Sequence, residues 1–347
     1  MNVRRGVSVT GMIIGLSVVL AAGAAVFVVV RSDRTGTKGS GLSKQFDYDL
    51  AEYKKTDPTL ILYQEIPESV PLDFKTPLGI AVGGNDHIYV VGDDVIRIFS
   101  PEGRALSKIA TGDTPRCLTV AANGLLYVGI SDHVEVYDDK GERKAVWERP
   151  DLKAVLTSIA VSGNNVFVAD AGDRAVLRYN TSGKLLNRIG QKDPAKNISG
   201  FNIPSPYFDL AVAGDGLLRV ANTGQHRIEA YTFDGDLEFQ WGTFDTAAEG
   251  FSGCCNPINF ALLADGGFVT CEKGLTRVKI YDAAGKFVGF VAGPESFSQH
   301  DGICRMNGGA DNCNTGGLDV AVDSKGRILV MDPLTREVRI FVRTKAG

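Results

Sequence analysis

Six cysteines are spread over 347 residues, and two of them are adjacent, in the stretch FSGCCNP from Phe251 to Pro257. Adjacent cysteines strain the peptide between them if they bond to each other, so each is expected to find a partner elsewhere. The available partners are Cys304 and Cys313, both in the long polar stretch from Pro294 to Gly317. Two disulfides, each joining one of Cys254 and Cys255 to one of Cys304 and Cys313, would pin a loop too long to order itself. The alternative is a zinc or iron–sulfur site on the same four thiolates, with His300 as a further ligand. Cys271 reads as a packed strand residue and Cys117 as a free thiol.

A second set of groups is built from oxygen donors. Asp209, Asn259 and Asp319 each stand two residues before a small residue (Ala211, Ala261, Ala321) in a recurring strand-like segment. Residues two apart share a strand face, so the three side chains are expected on one surface. They would hold a divalent cation or contact a polar substrate, or else cap loop amides along a solvated channel. A third set, Asn256, Glu272, Lys273 and Arg277, reads as a polar rim open to a ligand or as a solvated charged face. The four histidines (His87, His133, His226, His300) show no paired ligand spacing. No nucleophile elbow, phosphate-cradling loop or CxxC pair appears.

These groups need a scaffold, and the sequence repeats. An aromatic residue is followed four positions later by glycine at Phe99, Tyr137, Tyr179, Tyr231 and Tyr281, and Phe341 keeps the register without the glycine. Before each aromatic lie short apolar stretches such as SIAVSGN, NVFVAD and AVLRY, and after each glycine lies another, such as KLLNRIG. Four strands per unit, recurring at a period near forty residues, predict the blades of a β-propeller. The fold expected is all-β, a six-bladed propeller of four-stranded antiparallel blades over residues 59–347. The last unit lacks a fourth strand, and the segment 59–66, TLILYQEI, is expected to supply it and close the ring.

The stretches NVFVADAGDRAVLRYNTSG, LLRVANTGQHRIEAYTFDG and GRILVMDPLTREVRIF resemble the NHL-repeat family of six-bladed propellers. In that family an Asp or Asn ends the second strand and an Arg precedes the third. Asp170 with Arg174, Asn222 with Arg227, Glu272 with Arg277 and Asp332 with Arg336 match or approximate the pattern, while blades one and two depart from it. The resemblance implies a fold, and members of the family bind proteins, RNA or ligands, with a few enzymes among them.

Residues 6–30 carry no charge, which predicts a membrane-spanning anchor over 1–31 followed by a flexible linker over 32–58. The basic residues on its two sides nearly balance. The cysteines place the N-terminus inside and the propeller in an oxidising, extracytoplasmic compartment. Residues 1–38 hold five of the basic residues and one acid, so the rest of the chain is more acidic than the overall charge of −4. An acidic body argues against nucleic acid as a partner. The expected function is non-enzymatic: a membrane-tethered propeller binding a protein or a small molecule at its loop-rich face. One alternative is a hydrolase or lyase using a cation held by Asp209, Asn259 and Asp319. The other is a redox protein with a cysteine-ligated metal or iron–sulfur site. No cofactor is expected beyond those two options.

Overall fold

The protein is described by a computed structural model covering residues 54–300 and 316–344. It is a six-bladed β-propeller whose blades are four-stranded antiparallel sheets. Blade three shows how the sequence builds one: Leu156–Ser162, Asn165–Asp170, Ala175–Asn180 and Leu185–Ile189 pair in simple neighbour order. Its second strand is a continuous apolar run because neighbouring blades cover both of its faces, and Val166 through Ala169 are fully buried. Its fourth strand, LLNRI, faces solvent for most of its length. The same gradient from buried middle strands to an exposed outer strand recurs in blade one, where ALSKIA is almost wholly exposed.

The recurring aromatic and glycine have one physical role each. All six aromatics, Phe99 through Phe341, are buried, and each pairs with an apolar or aromatic residue at the start of its blade's second strand, the first residue in five blades and the second, Val166 opposite Tyr179, in blade three. The glycine four residues on sits at positive φ, +84° at Gly183 and +80° at Gly285, which suits a residue without a Cβ. The glycine also packs against the preceding blade. A Cβ on Gly183 would lie 2.6 Å from Trp147 of blade two, and one on Gly285 would lie 2.2 Å from Trp241 of blade four. The turn is therefore where one blade rests on the large side chain ending the previous blade's outer strand.

The first strands line the axis in blade order, and that of blade six meets that of blade one. Blade six takes its outer strand from the other end of the propeller. Tyr63–Glu65 pairs with the last strand, Glu337–Arg343, and Val70–Pro71 pairs further along the same strand. A salt bridge from Arg339 Nε to Glu65 Oε1, 2.8 Å, ties the two ends together. This joint covers the edge that the last strand would otherwise leave unpaired.

The expected single-pass membrane placement, with the N-terminus inside and the propeller outside, is corrected. Among the described residues no helix is long and apolar enough to cross a membrane. The longest helical segment among the described residues, Pro294–His300, has seven residues of 3-10 type, about 14 Å at a rise near 2 Å per residue, against a hydrocarbon core of about 30 Å. The expected anchor over 1–31, most of the linker, Cys304 and Cys313 lie outside the described residues.

Candidate functional site

The site grows from one register position. Near the start of each blade's first strand stand Gly79, Cys117, Ser158, Asp209, Asn259 and Asp319, facing the axis. Where these residues are polar, the side chain reaches across to the next blade. Leu210 N donates to Ser158 Oγ at 3.3 Å, and Phe260 N donates to Asp209 Oδ2 at 2.7 Å. Asn259 Nδ2 donates to Leu318 O at 2.8 Å, and Ile80 N donates to Asp319 Oδ2 at 3.0 Å. Between blades one and two no side chain fits: a Cβ on Gly79 would lie 2.8 Å from Arg116 O. Stitching of adjacent strands by short polar groups satisfies backbone amides that would otherwise face the channel unpaired. The reading of these residues as caps for amides and the reading of them as a ligand surface are therefore compatible.

Around them is a cavity of about 470 Å³, inside the usual range for small-molecule sites. Its lining mixes the apolar residues of the first strands with polar ones, Thr119, Thr157 and Ser158 beside Asp209, Asn259, Asp319, Arg116 and Tyr207. Both carboxylates touch the channel, yet protein surrounds them. Burial raises Asp209 to about 6. Burial, and then the charge of Asp209, raise Asp319 to about 7. Near neutral pH the pair therefore holds about one proton between them. The Asn259 amide, with Nδ2 fixed on Leu318, turns its Oδ1 away from that bond, and no described donor meets that oxygen. Burial pushes the Cys117 thiol up to about 12, so it is not a nucleophile at neutral pH.

Arg116 was not among the residues singled out in the sequence. It is the extra residue of a β-bulge between Pro115 and Cys117, a device that re-aims a side chain. The same position carries Leu78, Thr157, Phe208, Ile258 and Leu318 in the other blades, so the lone charge was the available signal. Blade two faces blade five across a six-membered ring, which sets Arg116 opposite Asn259 and its two flanking aspartates. Among the described residues, no hydrogen bond or ion pair engages the Arg116 guanidinium.

The sequence-derived rim of Asn256, Glu272, Lys273 and Arg277 is instead interior. Glu272 is fully buried and accepts from Arg277 Nε at 3.0 Å and Nη2 at 2.9 Å, with Lys279 Nζ at 2.8 Å. Burial would raise Glu272, but the Lys279 and Arg277 charges outweigh it and hold the carboxyl below its ordinary value. Arg277 and Lys279 also donate to the carbonyls of Thr246, Ala248 and Gly250, so this ion network fastens the connection into blade five. The Asn256 amide accepts from Lys273 N at 2.9 Å and donates to Lys273 O at 3.0 Å, and Lys273 Nζ donates to Ser205 Oγ. His300 is buried with Nε2 2.9 Å from Asp332 Oδ1, which commits it to the end of blade six. Among the described residues no group of three or more His, Cys, Asp or Glu is set to hold a metal. Cys254 and Cys255 are both free thiols there.

No family model and no curated protein matches this sequence, so the NHL resemblance stands without a matching family. Solved structures with the same fold include a streptogramin B lyase, 13% identical, covering 83% of this chain and all of that one, with a TM-score of 0.55. A gluconolactonase from Xanthomonas campestris is 15% identical over 81% of this chain and 91% of its own, with a TM-score of 0.56. A protein of unknown function from Bacteroides thetaiotaomicron is 16% identical over 80% and 73%, with a TM-score of 0.58. At these identities the likeness defines the class of protein, a six-bladed propeller, and nothing finer.

Proposed function

We propose that this propeller binds a small ligand at the mouth of its axial channel, through a divalent cation seated on Asp209, Asn259 and Asp319. The observation that carries the reading is the pair of carboxylates raised by burial in one cavity, with no cationic side chain among the described residues beside either. A divalent cation would relieve both the desolvation and the mutual repulsion, and oxygen donors of this kind suit calcium, magnesium or manganese. Arg116, across the ring, supplies the opposite charge, so the ligand class is a small acid that meets the cation at one end and a guanidinium at the other. Calorimetry with calcium and manganese at pH 8 tests this. Saturable binding lost in Asp319→Asn supports it, and no binding, or binding unchanged in that variant, refutes it.

A second reading is favoured by the same two carboxyls. With one ionised and one protonated near neutrality, they would serve as base and acid in a hydrolase or lyase. Structural neighbours with lyase and lactonase activities are consistent with that chemistry. Turnover of a lactone panel, abolished by both Asp209→Asn and Asp319→Asn, would separate the enzyme from the binder.

A further inference from the structure

The adjacent thiols of Cys254 and Cys255 do not point apart. Their Sγ atoms are 3.2 Å from each other, well beyond the S–S bond of about 2.05 Å and unbonded. Cys254 is exposed and Cys255 is buried, so the pair is reached from one side. Both flanks are clamped. Ser252 donates through N at 2.9 Å and Oγ at 3.2 Å to the buried Glu272, and Asn256 brackets Lys273 by two hydrogen bonds. The dithiol is thus held by the same ion network that fastens the connection into blade five, and little ordering remains to be done on binding.

The distance between the sulfurs discriminates among ligands. Zinc bonds of about 2.3 Å at the tetrahedral angle place two sulfurs about 3.8 Å apart, wider than this pair. Bonds of about that length meeting near a right angle place them about 3.3 Å apart, close to what is observed. Near-right angles belong to pyramidal centres with a lone pair. A bridging atom also makes a ring one atom larger than a direct bond between the sulfurs would, which eases the strain on the peptide between them.

We propose that Cys254 and Cys255 form a preorganised two-thiol chelate for trivalent arsenicals. The reaction is a condensation: an organoarsenic oxide gains two As–S bonds, its As–O bonds break, and the oxygen leaves as water with both thiol protons. Neither arsenic nor sulfur changes oxidation state.

The test uses the full chain, reduced with a phosphine, and phenylarsine oxide as the probe. Intact mass should show an adduct that survives in the Cys304→Ser, Cys313→Ser double variant. It should weaken on the order of 100-fold in Cys254→Ser, because a single thiol loses the effective concentration of its neighbour. Cys254 is exposed, so this variant keeps the fold, and circular dichroism checks that it does. Excess zinc should not displace the arsenical. An adduct retained at full strength in Cys254→Ser, an adduct lost in the double variant, or displacement by equimolar zinc would each overturn the proposal. So would a peptide map of unreduced protein that joins Cys254 or Cys255 to Cys304 or Cys313.

Discussion

Asp319→Asn replaces a carboxyl by an amide of the same shape and isolates the electrostatics of the channel mouth. In the parent protein Asp319 titrates near 7 and Asp209 near 6, both above the ordinary value of 3.8. A raised folded-state value means the folded protein binds more protons than the unfolded chain between about pH 4 and pH 7. Stability therefore falls as pH rises through that window and stays reduced above it. One unit corresponds to about 1.4 kcal/mol, so the full Asp319 shift converts to about 4 kcal/mol. Water in the channel, and a repulsion that counts once for the pair, reduce this to about 2 kcal/mol. The asparagine oxygen still accepts from Ile80 N and gives up at most the bond from Val320 N, about 1 kcal/mol. Urea unfolding of parent and variant at pH 5 and pH 8, without divalent cations, reads the difference. About two thirds of the Asp319 shift lies above pH 5, so the variant should gain about 1 kcal/mol relative to the parent on going from pH 5 to pH 8. A relative change of zero, or a loss at pH 8, would refute the reasoning that burial and repulsion load this site.

Other perturbations probe other parts of the account. Glu272→Gln leaves Arg277 and Lys279 buried without their anion and should cost about 3–5 kcal/mol in the same urea assay; a loss below about 1 kcal/mol would mean the network is not closed to water. Gly285→Ala drives a Cβ into Trp241 at positive φ and should cost at least about 2 kcal/mol with a changed tryptophan emission. Gly266→Ala shares the positive φ but meets only Ala283 at 3.5 Å, so it should cost about 1 kcal/mol and leave the emission unchanged. Deleting residues 54–66 removes Tyr63–Glu65 and the Glu65 partner of Arg339, and light scattering should then report aggregation through the opened edge of blade six.

The blade architecture was legible because it is repeated. Aromatics and glycines at fixed spacing mark one local event, a buried ring followed by a turn at positive φ, five times, and Phe341 keeps the register a sixth time without the glycine. The axial positions of Asp209, Asn259 and Asp319 followed from that register, since strand alternation assigns the face. Burial of the blade-five charges was not legible. Asn256, Glu272, Lys273 and Arg277 have the composition of an exposed rim, and distant segments take them out of water: the connection over residues 244–251 folds back on Arg277, and Ser205 and Tyr207 cover Lys273. Arg116 was hidden for a different reason: a bulge breaks the two-residue alternation at that residue. The close approach of the Cys254 and Cys255 sulfurs depends on the turn at Gly253, φ +79°, and not on strand geometry, so reasoning from strand-like side chains pointed them apart.

Diffraction from crystals soaked in manganese, recorded for its anomalous signal, examines the channel mouth most directly. The account predicts a single strong peak at the mouth, within coordination distance of Asp209, Asn259 Oδ1 and Asp319, and its loss in Asp319→Asn crystals. A mouth holding only water at saturating manganese would contradict it.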